Sequence, residues 1–245
     1  ARLATSLIES IETADLVALT TAQVRSLTSS QIGALTTTQI EALETSDIAA
    51  MTSAQIRVFD TADIQAMSSA QLAALLSVTP LVLDLDGSGV GTQAAGQGAV
   101  FDLTGTGTPA PVGWVAGGDG LLAMDRNGDG RIGDGRELFG TVTPLPDGRP
   151  AGNGYAALAA LDANNDGRID AADTAFAELR VWVDANHDGV SDPGELHSLV
   201  SVGIASLSLE HVHADREDNG NTVGLVGHYT TTDGRSAEMA DVWFE

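Results

Sequence analysis

The residues best equipped for chemistry are Asp184-Ala185-Asn186-His187-Asp188-Gly189-Val190-Ser191-Asp192-Pro193-Gly194-Glu195. A hard cation such as Ca²⁺ takes six to eight oxygens at about 2.3–2.6 Å, and a twelve-residue loop supplies them from positions 1, 3, 5, 7, 9 and 12. Asp184, Asn186 and Asp188 occupy the first three of these, and Gly189 allows the sharp turn at position 6. Val190 offers its main-chain carbonyl at 7, Asp192 reaches in directly or through water at 9, and Glu195 closes the loop at 12 with both oxygens. Asp, Asn and Gly also make ordinary surface turns, but a plain turn has no need of a glutamate at the twelfth place.

Two further stretches repeat the pattern. Asp162, Asn164, Asp166, Arg168 (through its carbonyl), Asp170 and Asp173 fill all six positions, with the shorter Asp173 in place of glutamate, which predicts weaker closure or more tolerance of Mg²⁺. Asp125, Asn127, Asp129 and Arg131 (again the carbonyl) fill the first four. There position 9 is Gly133, which can offer only water, and position 12 is Arg136, so Asp134 or Glu137 has to complete the shell. Asp84 and Asp86, two apart at the end of a short apolar strand, face one side and can share a cation. The segment from Phe101 to Gly107 keeps Asp102 but replaces the next ligands by threonine, so it reads as a weak or lost site. Several Ca²⁺ sites, about three, are therefore expected.

These loops need a frame. Pro80–Gly87 reads as a strand running into the first acidic pair, and 113–115 with 121–124 read as a hairpin around Gly117-Gly118-Asp119-Gly120. Tyr155, Leu158 and Leu161 mark a helix entering the loop at Asp162, and Phe176, Leu179 and Trp182 line the link to the loop at Asp184. Asp192 and Pro193 suit a helix start, with Leu196, Leu199 and Val200 as its buried stripe. Strands are expected at 204–213, 222–231 and 235–243, the last two joined by the turn Thr232-Asp233-Gly234. His211 and His213, with His197 or His228, offer a weaker Zn²⁺ reading.

Residues 1–78 are of another kind. Apolar residues recur every eight positions, as Leu3, Ile11, Leu19, Leu27, Leu35, Leu43, Met51, Phe59, Met67 and Leu75. A second series follows each by five, as Ile8, Leu16, Val24, Ile32, Ile40, Ile48, Ile56, Ile64 and Leu72. Eight residues at about 100° each overshoot two helical turns by roughly 80°, so one long helix would wind its apolar stripe right round. Thr20/Gln23, Thr28/Gln31, Thr36/Gln39, Thr52/Gln55 and Ser68/Gln71 read as capping boxes inside hydrophobic staples. The expected fold class is α+β: EF-hand-like calcium loops on short helices and antiparallel strands over residues 79–245, preceded by an all-α octapeptide-repeat solenoid of short capped helices over 1–78. Such an array serves as a spacer or as a docking surface for another protein.

Composition agrees with two parts and excludes several functions. The first 79 residues hold three arginines and eight acidic residues, the remainder eight and 26, and lysine is absent. Only Gly33 of the 28 glycines, and none of the seven prolines, precedes residue 80. At a net charge of −23 the chain is a poor binder of nucleic acid or of anionic membranes, and calcium ions are its natural partners. With no cysteine there is neither a disulfide framework nor a thiolate site. No run approaches the roughly 20 apolar residues of a membrane span, so membrane insertion is not expected. The chain begins with Ala1, as an excised fragment would.

From Pro80 onward, the motifs Pro80-Leu81-Val82-Leu83-Asp84-Leu85-Asp86-Gly87, Gly113-Trp114-Val115, Asp119-Gly120-Leu121-Leu122, Glu137-Leu138-Phe139-Gly140, Gly154-Tyr155-Ala156-Ala157-Leu158 and Leu179-Arg180-Val181-Trp182 together resemble the calcium-dependent self-processing module of RTX-type, FrpC-like bacterial exoproteins. The resemblance implies a bacterial protein, secreted by a type I system or held at the cell surface, that folds on calcium outside the cell. It also implies calcium-triggered cleavage of an Asp-Pro bond, in which the aspartate attacks its own carbonyl and the anhydride goes to water or to a lysine amine. Here the matching bond is Thr79-Pro80, and a threonine hydroxyl cannot form that anhydride. The leading expectation is thus a calcium-binding structural or interaction module rather than a protease. The alternatives are an autoprocessing protease altered at residue 79 and a dockerin-like cohesion module, the latter suggested by the 22-residue step from Asp162 to Asp184.

Overall fold

Leu81, Val82 and Leu83 are fully buried, because the strand they form is covered on both faces and paired on both edges. A computed structural model of the chain describes residues 5–20, 23–24, 26–44, 47–48, 51, 55, 58–68, 71, 79–97, 99–146, 148, 150–151 and 153–244. Two units are distinguished, Ala1–Ser77 and Val78–Glu245.

The described strands of the second unit are β1 (Leu81–Asp84), β2 (Thr92–Gln93), β3 (Val100–Phe101), β4 (Ala110–Pro111), β5 (Trp114–Val115), β6 (Asp119–Ala123), β7 (Arg168–Asp170), β8 (Arg180–Trp182), β9 (Leu196–Ser198), β10 (Ile204–Asp218), β11 (Asn221–Thr231) and β12 (Ser236–Trp243). Eight of them form one sheet in the order β7-β10-β11-β12-β1-β6-β8-β9, while β2–β5 and β3–β4 make two small ribbons. Every neighbouring pair is antiparallel, and the sheet curls into a half-barrel.

Alternation along each central strand feeds two cores. Leu81, Leu83, Leu122, Val181 and Met239 point to one, which also holds Tyr155 and Leu158 of the helix Gly154–Ala159. Val82, Leu121, Trp182, Ala240 and Val242 point to the other, with Phe101, Trp114 and Phe244. Each fully buried side chain of this kind contributes about 1.5–3 kcal/mol. Double-sided burial is why these strands read as apolar runs rather than alternating ones.

The unit is therefore mostly β and not the expected α+β fold of EF-hand-like loops on helices. The residues flanking the loops are β-branched and aromatic, and they find sheet partners: Val181 and Trp182 pair with Leu122 and Leu121 on one side and His197 and Leu196 on the other. Pro193 starts no helix; Gly194 turns at φ +102° and the chain enters β9, leaving Val200 64% exposed. The 113–124 hairpin is also absent, since β5 pairs with β2 and β6 with β1 and β8. The three C-terminal strands do form, and β10 runs on to Asp218.

Among the described residues the helices of the first unit are α1 (Thr13–Val17), α2 (Ser29–Ile32), α3 (Thr37–Glu41) and α4 (Thr61–Ala66), with α5 being Gly154–Ala159 of the second unit. Residues 5–10 form a 3₁₀ turn. Capping boxes close the turns at Thr28/Gln31 and Thr36/Gln39. Thr20/Gln23 and Ser68/Gln71 make the same reciprocal bonds, and Asp60/Asp63 form a further box. The array is not an all-α solenoid. An eight-residue period leaves room for one helical turn of four to six residues before the chain must bend, so turns carry as much of the path as helix. Its core is Ile8, Leu16, Val24, Ile32, Ile40 and Ile48 with Leu35, Leu43, Met51 and Met67, whereas Ile64 is 36% exposed. Leu3, Ile56, Leu72 and Leu75 of the apolar series, Thr52 of one capping box and Val78 lie outside the described residues.

Candidate metal centre

Strand pairing assembles the tightest acidic group. The β1–β6 register sets Asp84 directly opposite Asp119, and Asp86 follows two residues on. One carboxylate oxygen from each of the three lies within 4.8 Å of the others, the sole such group among the described residues. Asp84 and Asp119 are 5% and 4% exposed. The amides of Gly87 and Gly89 donate to Asp84 at 2.7 and 3.0 Å, Ser88 N–H to Asp86 at 2.8 Å, and Gly91 N–H to Asp119 Oδ2 at 2.8 Å. Leu85 N–H also points at the Asp119 carboxyl, but no donor among the described residues reaches hydrogen-bond geometry at its buried Oδ1. Burial, reinforced by the Asp84 and Asp86 charges, pushes the Asp119 carboxyl up to about 6. A buried, donorless oxygen beside two more carboxylates fits a hard cation.

The other three acidic loops share a hydrogen-bond scheme with this one. In each, the residue at position 6 donates to the first aspartate: Gly130 to Asp125 (2.9 Å), Gly167 to Asp162 (3.0 Å) and Gly189 to Asp184 (2.9 Å). All three glycines have positive φ, +83°, +84° and +76°, which explains the residue type. The amide at 5 donates to the asparagine at 3, and the amide at 7 to the aspartate at 5, which holds Asn127 and Asp129, Asn164 and Asp166, and Asn186 and Asp188 in place. A carboxylate closes each loop by accepting from the amides at 2 and 9. Asp173 bridges Ala163 and Asp170, Glu195 bridges Ala185 and Asp192, and Glu137 bridges Arg126 and Gly133.

Several residues expected from sequence are thereby sorted. Glu137, 4% exposed, takes the closing role, while Asp134 caps the 3₁₀ turn Gly135–Glu137 and is held by the Arg136 guanidinium at 2.6 Å, which lowers its pKa. The Arg168 side chain pairs with Asp166 and Asp170 at 3.2 and 3.1 Å. Val190 and Arg131 are exposed at position 7. The loops at 125 and 184 touch through position 8, where Ile132 N–H donates to Ser191 Oγ at 2.8 Å. Asp119 was missed, because it lies 35 residues from Asp84 and only strand register joins them. Asp102 keeps the scheme too, accepting from Gly107 N–H at 2.5 Å, but Arg136 lies against Gly105. His211 stacks on Tyr155 at 4.3 Å, and the histidines form no metal-binding group among the described residues.

Thr79 and Pro80 are buried. Their peptide bond packs on Gly140 so closely that a Cβ there would sit 1.7 Å from the Thr79 carbonyl oxygen. The Thr79 hydroxyl lies 3.0 Å from Thr141 Oγ1 and faces the carboxyl of Asp241. Asp241 is fully buried, accepts from Gly154 N–H at 3.0 Å, and is pushed up to about 7 by burial.

Comparison with known proteins bears on both centres. A family model described as the SPM domain matches residues 81–245. The chain belongs to the SPM domain family. The ALTTAQ repeat model matches residues 8–45 and 40–77, which is the octad array. The chain is also 51% identical over 166 residues to the iron-regulated protein FrpA of Neisseria meningitidis serogroup C, an alignment spanning 66% of this chain and 15% of that protein. These similarities agree with the FrpC-like resemblance of the motifs from Pro80 onward. The SPM match begins at Leu81, the residue after Pro80, and contains all the acidic loops. No described helix of the chain is long and apolar enough to cross a membrane.

Within the SPM domain, Asp119 has a testable pH signature. Its pKa is raised on folding from 3.8 to about 6, so the metal-free fold is favoured at low pH and loses that contribution as pH rises through this window. Asp119→Asn is expected to stabilise the metal-free domain at pH 7 by up to about 3 kcal/mol while weakening Ca²⁺ binding at least tenfold. Urea unfolding with chelator and a Ca²⁺ titration check the two halves, and unchanged Ca²⁺ affinity would remove Asp119 from the site.

Proposed function

We propose that residues 79–245 are a calcium-binding structural module of an RTX-type bacterial protein, folding on Ca²⁺ outside the cell, at the surface or in the medium. The observation that carries this reading is the group Asp84, Asp86 and Asp119, whose buried Asp119 Oδ1 has no hydrogen-bond donor among the described residues. Without a cation three carboxylates share one small volume; a divalent ion removes most of that repulsion, so binding and folding are coupled. The loops closed by Glu137, Asp173 and Glu195 are the further sites, with Asp125, Asn127, Asp129, Asp162, Asn164, Asp166, Asp170, Asp184, Asn186, Asp188 and Asp192 as side-chain ligands and Arg131, Arg168 and Val190 as carbonyl ligands. The octad array is the spacer or docking surface.

Tryptophan reports on this directly. Trp114 Nε1 donates to Asp184 at 2.8 Å and Trp182 Nε1 to Glu195 at 3.3 Å, and the two rings pack with Phe101. A Ca²⁺ titration should therefore change tryptophan emission and release or absorb heat saturably. Absence of both responses would sink the calcium reading.

A second reading, calcium-triggered self-processing at residues 79–80, is favoured by one observation: the bond is buried against Gly140 with the Asp241 carboxyl beside residue 79. The threonine argues that the chain as it stands is not cleaved there.

A further inference from the structure

Among the described residues, three glutamines, Gln39, Gln55 and Gln71, lace the octads together. Gln39 Nε2 donates to the carbonyls of Ile8 and Ile11, both at 2.8 Å. Gln55 does the same to Val24 and Leu27 (2.9 and 2.8 Å), and Gln71 to Ile40 and Leu43 (2.8 and 2.9 Å). In every case the steps back along the chain are 31 and 28 residues, so each glutamine bridges to the octad four earlier. Between Gln39 and Gln55 the sequence places Asp47, not glutamine, at this position. Its turn forms like the others, with the amides of Asp47 and Ile48 donating to Glu44 O at 3.0 and 3.2 Å. The same two steps lead from Asp47 to the carbonyls of Leu16 and Leu19.

Asp47 is 1% exposed, and its Oδ2 is buried without a hydrogen-bond partner among the described residues. A carboxylate cannot donate to carbonyls. Its side chain is also one methylene shorter than glutamine, leaving a gap of about 1.5 Å where the amide nitrogen would stand. A proton bridges oxygens only at about 2.5–3.0 Å, whereas a Ca²⁺ ion spans a wider gap through bonds of about 2.3–2.6 Å. We propose that Asp47, with the carbonyls of Leu16 and Leu19, holds a hard divalent cation, Ca²⁺, inside the octad array, replacing the glutamine latch by a metal latch. Burial, with the negative charge of Glu44 adding to it, raises the Asp47 pKa, a cost the cation removes. Asp63, at the equivalent place two octads on, is half-buried with its carboxylate accepting from Asp60 N–H, so water can serve there instead.

Hydrogen exchange read by mass spectrometry on the full chain, with Ca²⁺ or chelator, tests this octad by octad, and the response of residues 79–245 is recorded separately. In the unaltered chain Ca²⁺ should slow exchange at residues 16–19 and 47–48 at least tenfold. Asp47→Gln should show that protection without Ca²⁺ and gain none on its addition, because glutamine restores the direct latch. The proposal is overturned if exchange in these octads ignores Ca²⁺, or if Asp47→Gln responds to Ca²⁺ as the unaltered chain does. Either result leaves the calcium reading of residues 79–245 standing on its own signal.

Discussion

Millimolar Ca²⁺ is expected to raise the unfolding temperature of the second unit by tens of degrees over the same chain in chelator. Saturating one site at 100–1,000 times its dissociation constant stabilises the folded state by about 2.7–4.1 kcal/mol. For a domain of this size each kilocalorie moves the midpoint by about 2–4 °C, so one site is worth roughly 10 °C and several sites correspondingly more. The cause is electrostatic as well as coordinative: beyond residue 79 the chain holds 26 acidic residues against eight arginines. Of those arginines, Arg136 and Arg168 already pair with loop carboxylates. Differential scanning calorimetry of the full chain measures the shift. Mg²⁺ should give a smaller one, since it dehydrates reluctantly and demands octahedral geometry. Superimposable traces with Ca²⁺ and chelator would overturn the coupling of folding to metal.

The second large effect concerns the bond between Thr79 and Pro80. In millimolar Ca²⁺ the unaltered chain should keep its full mass, whereas Thr79→Asp should divide into 1–79 and 80–245. The new carboxylate would attack the main-chain carbonyl of residue 79 and close a cyclic anhydride, breaking the bond to the Pro80 nitrogen. That nitrogen takes the leaving electron pair and a proton, for which the buried carboxyl of Asp241 is the candidate donor because burial pushes its pKa up to about 7. Water then opens the anhydride to two carboxyl groups and returns a proton. Asp241→Asn in the Thr79→Asp background should slow the cleavage without abolishing Ca²⁺-dependent folding. Mass spectrometry reads all three chains, and an intact Thr79→Asp chain in Ca²⁺ would end the self-processing reading.

Short-range relations were legible from residue types alone. The octad period, the capping boxes and the spacing of Asp, Asn and Gly in the acidic loops depend on contacts within about a dozen residues. Side-chain chemistry and allowed φ values decide such contacts locally, as the positive φ at Gly130, Gly167 and Gly189 illustrates. Even the displaced closure at Glu137 was within reach, as one of two candidates.

Fold class was not legible in this way. An EF-hand-like loop motif suggests short helices around it, but a loop of this pattern constrains only itself. What flanks it is decided by whether Val181, Trp182 and Leu196 can bury more surface in a sheet than along a helix, and here the sheet offers them two cores. Asp119 beside Asp84, and Asp241 beside Thr79, are products of strand register over 35 and 162 residues of chain. The glutamine latches are likewise set by how many octads complete a circuit, which no single octad encodes. Thus the local pattern was enough to recognise acidic loops and a repeat array. Which carboxylates share one site, and which peptide bond is enclosed beside a buried acid, depended on long-range pairing, because burial and the loss of water that gives these groups their chemistry arise only when distant strands close over them.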